Sequence, residues 1–335
     1  MQLKEHLNTQ PLISVVMATY NGEKFIAEAI QSILDQTYKN FEFLIVDDGS
    51  TDRTQEIIRG FRDHRIRYIK KEANTGIADS LNKGIAQAQG TYIARMDDDD
   101  VSFPHRLERQ LEAFHEDPEL GLCATNVELD QKEKIKTIGL SHQEIKMKLL
   151  FGNTLTHPTV MLKKELFKKY QYNSEMVPCE DYDLWTKVIW NYKCVVLKTP
   201  LLYYRYRKYS ETSRRRKEQL RLCEPIAAYM FSKLEWTAIK NHDACLKIMA
   251  THEYTVNSSE LNGLMKWLDA LLEKNAKMKV FEENSFKTEL EAQRLRFLKS
   301  YFSNRSIGKK VVPFLALELP YKMWILKYYL ETYLK

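Results

Sequence analysis

Four times before residue 116 an apolar run of strand length gives way to a segment with apolar residues at helical spacing. Leu12–Ala18 is followed by Lys24–Asp35, Phe41–Val46 by Thr51–Phe61, Ile66–Ile69 by Ile77–Ala88, and Tyr92–Met96 by Phe103–His115. Strands that read as unbroken Val, Ile and Leu runs are buried on both faces, which helices packed on each side of a parallel sheet achieve. The alternation therefore predicts an α/β fold with a mainly parallel sheet flanked by helices. After Leu120 the pattern becomes mixed. Strands are expected at Leu120–Thr125, Pro158–Leu162, Lys193–Leu197 and Leu202–Tyr206, and helices at Lys163–Tyr170 and Asp181–Trp190. From about Arg214 the chain reads as helical, charged and poor in strands. Two parts are expected, 1–213 and a C-terminal helical region, 214–335.

In an open sheet of this kind ligands bind beyond the carboxyl ends of the strands, where loops converge and helix N-termini offer unpaired N–H groups. Those positions carry Thr19-Tyr20-Asn21-Gly22, Asp47-Asp48-Gly49-Ser50, Asn74-Thr75-Gly76 and Asp97-Asp98-Asp99-Asp100. Neither G-x-G-x-x-G nor G-x-x-x-x-G-K-[ST] occurs, which excludes the usual dinucleotide and P-loop phosphate sites. Four successive aspartates at the end of a buried strand repel one another, and a hard divalent cation such as Mg²⁺ or Mn²⁺ is the simplest compensation. A solvated acidic cap leading into Phe103-Pro104 is the other reading. Asp47 and Asp48 fit either a helix cap or acceptors for a nucleobase and ribose. Glu180 and Asp181 open a helix, where acids favour its dipole, yet a carboxylate there also suits a general base. His157 either lines the same pocket or simply packs.

Composition narrows the function classes. Hydrophobic residues make up 44% and charged residues 29%, the balance of a globular protein. The five cysteines form no C-x-x-C pair, which argues against a zinc site and a disulfide framework. No secretion signal is recognised at the N-terminus, and no apolar run is long enough to span a bilayer. A cytoplasmic protein is expected. The net charge of +6 is matched by the window Leu201–Leu222 alone, with eight basic residues against Glu211 and Glu218. That window suits either an anionic partner or a solvated helix face.

Several strings in order and spacing resemble family 2 glycosyltransferases of the GT-A fold, from about Pro11 to Ser213. They are Pro11 through Asn21, Gln36-Thr37-Tyr38-Lys39-Asn40-Phe41-Glu42, Ile45 through Asp52, Asn74-Thr75-Gly76 with Asn82-Lys83-Gly84, Tyr92 through Asp100, and Glu180-Asp181. The wording around Ile93-Ala94-Arg95, Phe151-Gly152-Asn153, His157-Pro158-Thr159 and Tyr204-Arg205 is most similar to bacterial lipooligosaccharide, O-antigen and capsule transferases. The resemblance implies a Rossmann-like GT-A domain whose donor, a UDP-sugar, is held by Thr19, Tyr20, Asn21, Asp47, Asp48, Asn74, Asn82, Arg95, Asp97 and Asp98. It implies a D-x-D of Asp97 and Asp99 for Mn²⁺ or Mg²⁺, with Asp99 favoured as the direct ligand, and Asp181 as the catalytic base. Glu180 and His157 would belong to the acceptor pocket. The reaction implied is a single inverting displacement onto a hydroxyl of a glycolipid or oligosaccharide. The sequence departs from the family in carrying Arg207 where a His is common and Ser80-Leu81 where Arg precedes Asn82. It also lacks the Q-x-x-R-W string of processive synthases, so one sugar per encounter is expected.

The final segment, Pro320 to Lys335, mixes Tyr321, Trp324, Tyr328, Tyr329 and Tyr333 with Lys322, Lys327 and Lys335. It fits an interfacial anchor on an anionic membrane surface, here the cytoplasmic face of the inner membrane, or equally a helix docked on protein. A nucleic-acid binder would rest on the basic window alone and is disfavoured, as is a nucleotidyltransferase, which would want a Gly-rich basic loop where the chain has Thr19-Tyr20-Asn21; a sugar-nucleotide-binding module without catalysis is the other alternative. The sequence leaves the oligomeric state, the sugar and the acceptor linkage open.

Overall fold

The structure is a computed structural model and describes residues 10–129, 138–205, 215–236, 257–303, 319 and 321–323. These form two compact units, one within Met1–Lys146 and Asn153–Gln219, the other within Met147–Gly152 and Leu220–Lys335.

The first unit is built on an eight-stranded sheet of order β3-β2-β1-β4-β7-β6-β8-β5. Its parallel half comprises β1 (Ile13–Thr19), β2 (Phe41–Asp47), β3 (Ile66–Lys70) and β4 (Tyr92–Met96). Val15, Phe43, Ile45 and Ala94 are fully buried in it, as unbroken apolar strands require. Helices α1 (Ile26–Leu34), α2 (Thr54–Gly60), α3 (Ile77–Gln87) and α4 (Arg106–Glu116) connect these strands or follow them. Register sets Thr19 opposite Asp47 and Met17 opposite Met96, so the polar tails of β1, β2 and β4 leave the sheet at one level. The expected α/β architecture, parallel through its first four strands, is what the chain adopts.

The second half of the sheet departs from expectation in ways that local chemistry explains. Val101–Ser102 is a short edge strand, β5, so α4 starts at Arg106 instead of Phe103. His157 and Pro158 do not lie on a strand. His157–Thr159 is a 3₁₀ turn, with the Thr156 carbonyl accepting from both the Thr159 N–H at 3.0 Å and its hydroxyl at 2.7 Å, and β7 begins only at Met161. Proline has no N–H to give a ladder, which favours the turn. β7 (Met161–Lys163) runs antiparallel to β4 and to β6 (Leu120–Leu129). Residues Lys164–Lys168 are again 3₁₀ where an α-helix was expected. The two strands expected at Lys193–Leu197 and Leu202–Tyr206 are one, β8 (Lys193–Tyr204), with Tyr206 outside the described residues. Pro200 is tolerated there because the register against β6 shifts around Asn126, whose amide donates to the Leu197 and Lys198 carbonyls. Helix α5 (His142–Lys148) was not anticipated, whereas α6 (Glu180–Val188) was.

The second unit holds α7 (Arg216–Ser232) from Leu220 on, α8 (Ser258–Met278) and α9 (Glu283–Ser303). A reciprocal capping box of Asn257 and Glu260 starts α8, and Leu261, Leu264, Leu268 and Leu271 bury one face of it. Phe151, in the stretch that joins this unit, meets Phe231 and Trp267 edge-on at ring separations of 6.3 and 6.1 Å. Among the described residues no helix is long and apolar enough to cross a membrane. Residues 206–214 of the basic window, Arg207 among them, and most of Pro320–Lys335 lie outside the described residues.

Candidate active site

The β1 tail is shaped by its contact with the aspartate loop. The Thr19 hydroxyl donates to Asp98 Oδ2 at 2.5 Å, and a Cβ on Gly22 would stand 2.5 Å from that same oxygen. A side chain there would have to displace the Thr19–Asp98 contact, which glycine leaves in place. Asn21 takes a left-handed backbone (φ 53°), which asparagine tolerates, and its side-chain oxygen accepts from the Thr51 N–H at 2.9 Å. Tyr20, at 48%, and Asn21 are exposed.

Asp47 and Asp48 are buried and turn onto protein donors. Asp47 accepts from the Ser50 N–H at 2.8 Å and the Tyr68 hydroxyl at 2.7 Å. Asp48 accepts from the N–H groups of Thr75 (3.0 Å) and Gly76 (2.8 Å) and pairs with Lys71 at 2.6 Å. Lys71 is itself buried and also reaches Asp79 and Ser80, at 2.7 and 2.9 Å. The pair thus fastens the β2 tail to the Asn74–Gly76 loop, inside which Asn74 accepts from the Gly76 N–H at 3.1 Å. Asn82 turns elsewhere: its amide bonds both the carbonyl and the N–H of Tyr172, at 2.8 and 3.1 Å. It borders a cleft of about 610 Å³ that Gly90, Thr91, Lys163 and Lys168 also line, at the N-terminal edge of β4 and away from the aspartates.

Asp97, Asp99 and Asp100 bring one carboxylate oxygen each to within 4.8 Å of one another, while Asp98 faces Thr19. The family resemblance singled out Asp97 and Asp99; Asp100 joins them. It is 1% exposed, accepts from the Arg205 N–H at 3.0 Å through Oδ1, and leaves Oδ2 without a hydrogen-bond partner. Burial, then repulsion from Asp97 and Asp99, pushes its carboxyl up to about 8. Arg205 also donates to the Asp99 carbonyl at 2.9 Å and pairs with Glu28 at 2.6 Å, latching the loop. The same loop faces Arg95, a buried arginine on β4 that pairs with Asp97.

Arg95 links this cluster electrostatically to a second one. It acts on Glu180 and Asp181 at the start of α6, and on His157. Burial, then the neighbouring Asp181, pushes Glu180 up to about 7, and its Oε2 has no hydrogen-bond partner. Burial also pushes Asp181 up to about 6, against hydrogen bonds from the Tyr182 N–H (2.6 Å) and the Asn153 amide (2.7 Å). His157 shares a hydrogen bond with the Tyr172 hydroxyl at 2.9 Å and stands beside the Tyr172 and Trp185 rings. Burial, then Arg95, holds its imidazole well below the ordinary range, so it is neutral.

Three contributors were given no role by the sequence, although Asn153 lies in one of the quoted strings. Asn153, Lys71 and Arg106 touch site residues only through the fold; Arg106, fully buried, donates to the carbonyls of Arg95 (3.1 Å) and Pro158 (2.5 Å).

A chain with carboxylates grouped for a cation on one side of a buried arginine and a perturbed carboxyl pair on the other can bind an anionic leaving group and deprotonate a hydroxyl. Comparison with known proteins agrees with that chemistry. The profile described as Glycosyl transferase family 2 matches residues 14–171. An uncharacterized glycosyltransferase of Methanocaldococcus jannaschii is 40% identical over 207 residues, which is 58% of this chain and 71% of that protein. The O-antigen biosynthesis glycosyltransferase WbnJ of Escherichia coli is 33% identical over 186 residues, 53% of this chain and 72% of its own. Among solved structures, Staphylococcus aureus TarS 1-349 in complex with UDP-GlcNAc aligns with a TM-score of 0.58 at 20% identity, over 86% of this chain and 89% of that one. The mannosyltransferase PcManGT of Pyrobaculum calidifontis, in complex with GDP-Man and Mn²⁺, gives 0.55 at 18% identity over 89% of each chain. At those identities the structures speak for the fold, which is the GT-A architecture expected.

Proposed function

The chain belongs to glycosyl transferase family 2, and from that premise we propose that it is an inverting, non-processive transferase. It moves a hexose or N-acetylhexosamine from a UDP-sugar to a hydroxyl of a bacterial glycolipid or polysaccharide acceptor, of the lipopolysaccharide, O-antigen or capsule class. The observation that carries this reading is that two carboxylate groups, Asp97/Asp99/Asp100 and Glu180/Asp181, face the buried guanidinium of Arg95. The named relative in O-antigen biosynthesis and the UDP-GlcNAc complex of TarS support the substrate class. The catalytic machinery is assigned to 1–213, with 214–335 as an accessory helical region.

Asp181 takes the proton of the acceptor hydroxyl as its oxygen attacks the anomeric carbon opposite the departing diphosphate, and an α-linked donor becomes a β-glycoside. Glu180 and neutral His157 border the acceptor side. Thr19, Tyr20, Asn21 and the wall made by Asp47 and Asp48 border the nucleoside side. Asp97, Asp99 and Asp100 fit a divalent ion, Mn²⁺ or Mg²⁺: their oxygens converge, and the buried Asp100 Oδ2 has no hydrogen-bond partner of its own. Such an ion supplies Lewis-acid stabilisation of charge on the leaving diphosphate. Peripheral attachment to the cytoplasmic face of the inner membrane is part of this proposal and rests on the basic window and the aromatic C-terminal segment.

Calorimetric titration of UDP, GDP and CDP, with and without Mn²⁺, tests the donor class. The expected result is metal-dependent binding of UDP that Asp99→Ala abolishes. Metal-dependent binding of GDP instead would move the donor to the GDP-sugars, and metal-independent binding of all of them would remove the ion from the reading.

A further inference from the structure

The carboxylate assigned as base is held by Asn153, which lies in the Phe151-Gly152-Asn153 string but was given no role by the sequence. Asn153 is exposed, and its amide has one orientation available: Oδ1 accepts from the Leu155 N–H at 3.2 Å, which leaves Nδ2 to donate to Asp181 Oδ2 at 2.7 Å. An amide that must accept on one side must donate on the other. Asp181 Oδ1 meanwhile accepts from the Tyr182 N–H at 2.6 Å, in the first turn of α6. The carboxylate thus takes N–H donors on both oxygens, from the Asn153 amide and from the backbone of its own turn, which fixes its rotation. The charged and titratable groups that face Asp181 are Glu180 on its own turn, Arg95 from β4 and Tyr172 from the segment before α6.

We propose that Asn153 is the positioning residue of the base, its side-chain amide holding the Asp181 carboxylate in one orientation and as the anion. The inference rests on the assignment of Asp181 as base. Asn153 does not touch the reacting atoms in this scheme; it acts through Asp181. A donor to the charged form favours that form, so its loss raises the proton affinity of the carboxyl and frees its rotation. Replacing the amide by a carboxylate adds a like charge on top of the lost donor.

The test is the pH profile of kcat for the full chain with UDP-sugar and acceptor, comparing wild type, Asn153→Ala and Asn153→Asp. The acidic limb is expected to move up by about half to one pH unit in Asn153→Ala and further in Asn153→Asp, with KM for the donor unchanged. Because Asn153 is exposed, unfolding midpoints and nucleotide affinity should stay at wild-type values. A fall in kcat with the limb unmoved, or no change at all, overturns the inference. Asp181→Asn separates the two levels: full transfer by that variant overturns base and positioning residue together, whereas an inactive Asp181→Asn with an unmoved limb in Asn153→Ala overturns only the positioning role.

Discussion

The acids that end β2 and those that end β4 are the same residue type, one strand apart on either side of β1, yet they live in opposite conditions. Asp47 and Asp48 are buried among protein donors: three backbone N–H groups, a tyrosine hydroxyl and a lysine. Asp100 is equally buried but keeps an oxygen with no hydrogen-bond partner, and across Arg95 Glu180 does the same. A buried polar group left unsatisfied costs about 1–3 kcal/mol, so a fold that retains two beside its candidate chemistry is organised for something other than stability. The lesson is that carboxylates on the β2 side build a wall, while those on the β4 and α6 side are held ready for a cation and a proton.

Breaking the wall should have the larger effect on stability. Asp48→Ala leaves Lys71 buried beside the vacated site and two loop N–H groups unpaired, so urea unfolding should show a loss of about 3–5 kcal/mol. A loss under about 1 kcal/mol would mean that the Asp48–Lys71 pair is not the fastening the contrast requires.

On the other side the sign reverses. Glu180 is 6% exposed and binds its proton more tightly folded, at about 7, than at its ordinary 4.5. Its ionisation therefore disfavours the fold, and stability should fall as pH rises from about 4.5 through about 7. Glu180→Gln removes that dependence and should raise stability at pH 8 by on the order of 2 kcal/mol. Chemical unfolding across pH 5–8 reads both, and an unchanged slope in the variant would place the titrating group elsewhere.

The same contrast explains what could be read before the structure. Strands β1 to β4 were visible because strands buried on both faces leave long apolar runs; their tails marked the aspartates after β4, while the Glu180-Asp181 pair was marked at a helix start and by the family resemblance. The character of each acid was not visible, because it depends on partners distant in the chain. Lys71 stands 23 residues beyond Asp48 and reads as one of two adjacent surface lysines. Arg205 lies 105 residues from the aspartate it latches, and Asn153 meets Asp181 across 28. Beyond Leu120 short strands, 3₁₀ turns and a proline blur periodicity, which is why the turn carrying His157 was mistaken for a strand. Asp100 is the instructive intermediate: its position beside the D-x-D was plain, but only burial distinguishes a cap from an orphaned acceptor.

The most direct test of the account is sugar transfer by Asp181→Asn, with nucleotide affinity in the presence of Mn²⁺ measured on the same sample. Loss of about 10²–10⁴-fold in kcat with affinity within a factor of two of wild type is the predicted result, since the variant keeps the shape and loses only the base. Transfer at the wild-type rate would contradict it, and the perturbed pair at the start of α6 would then be structural.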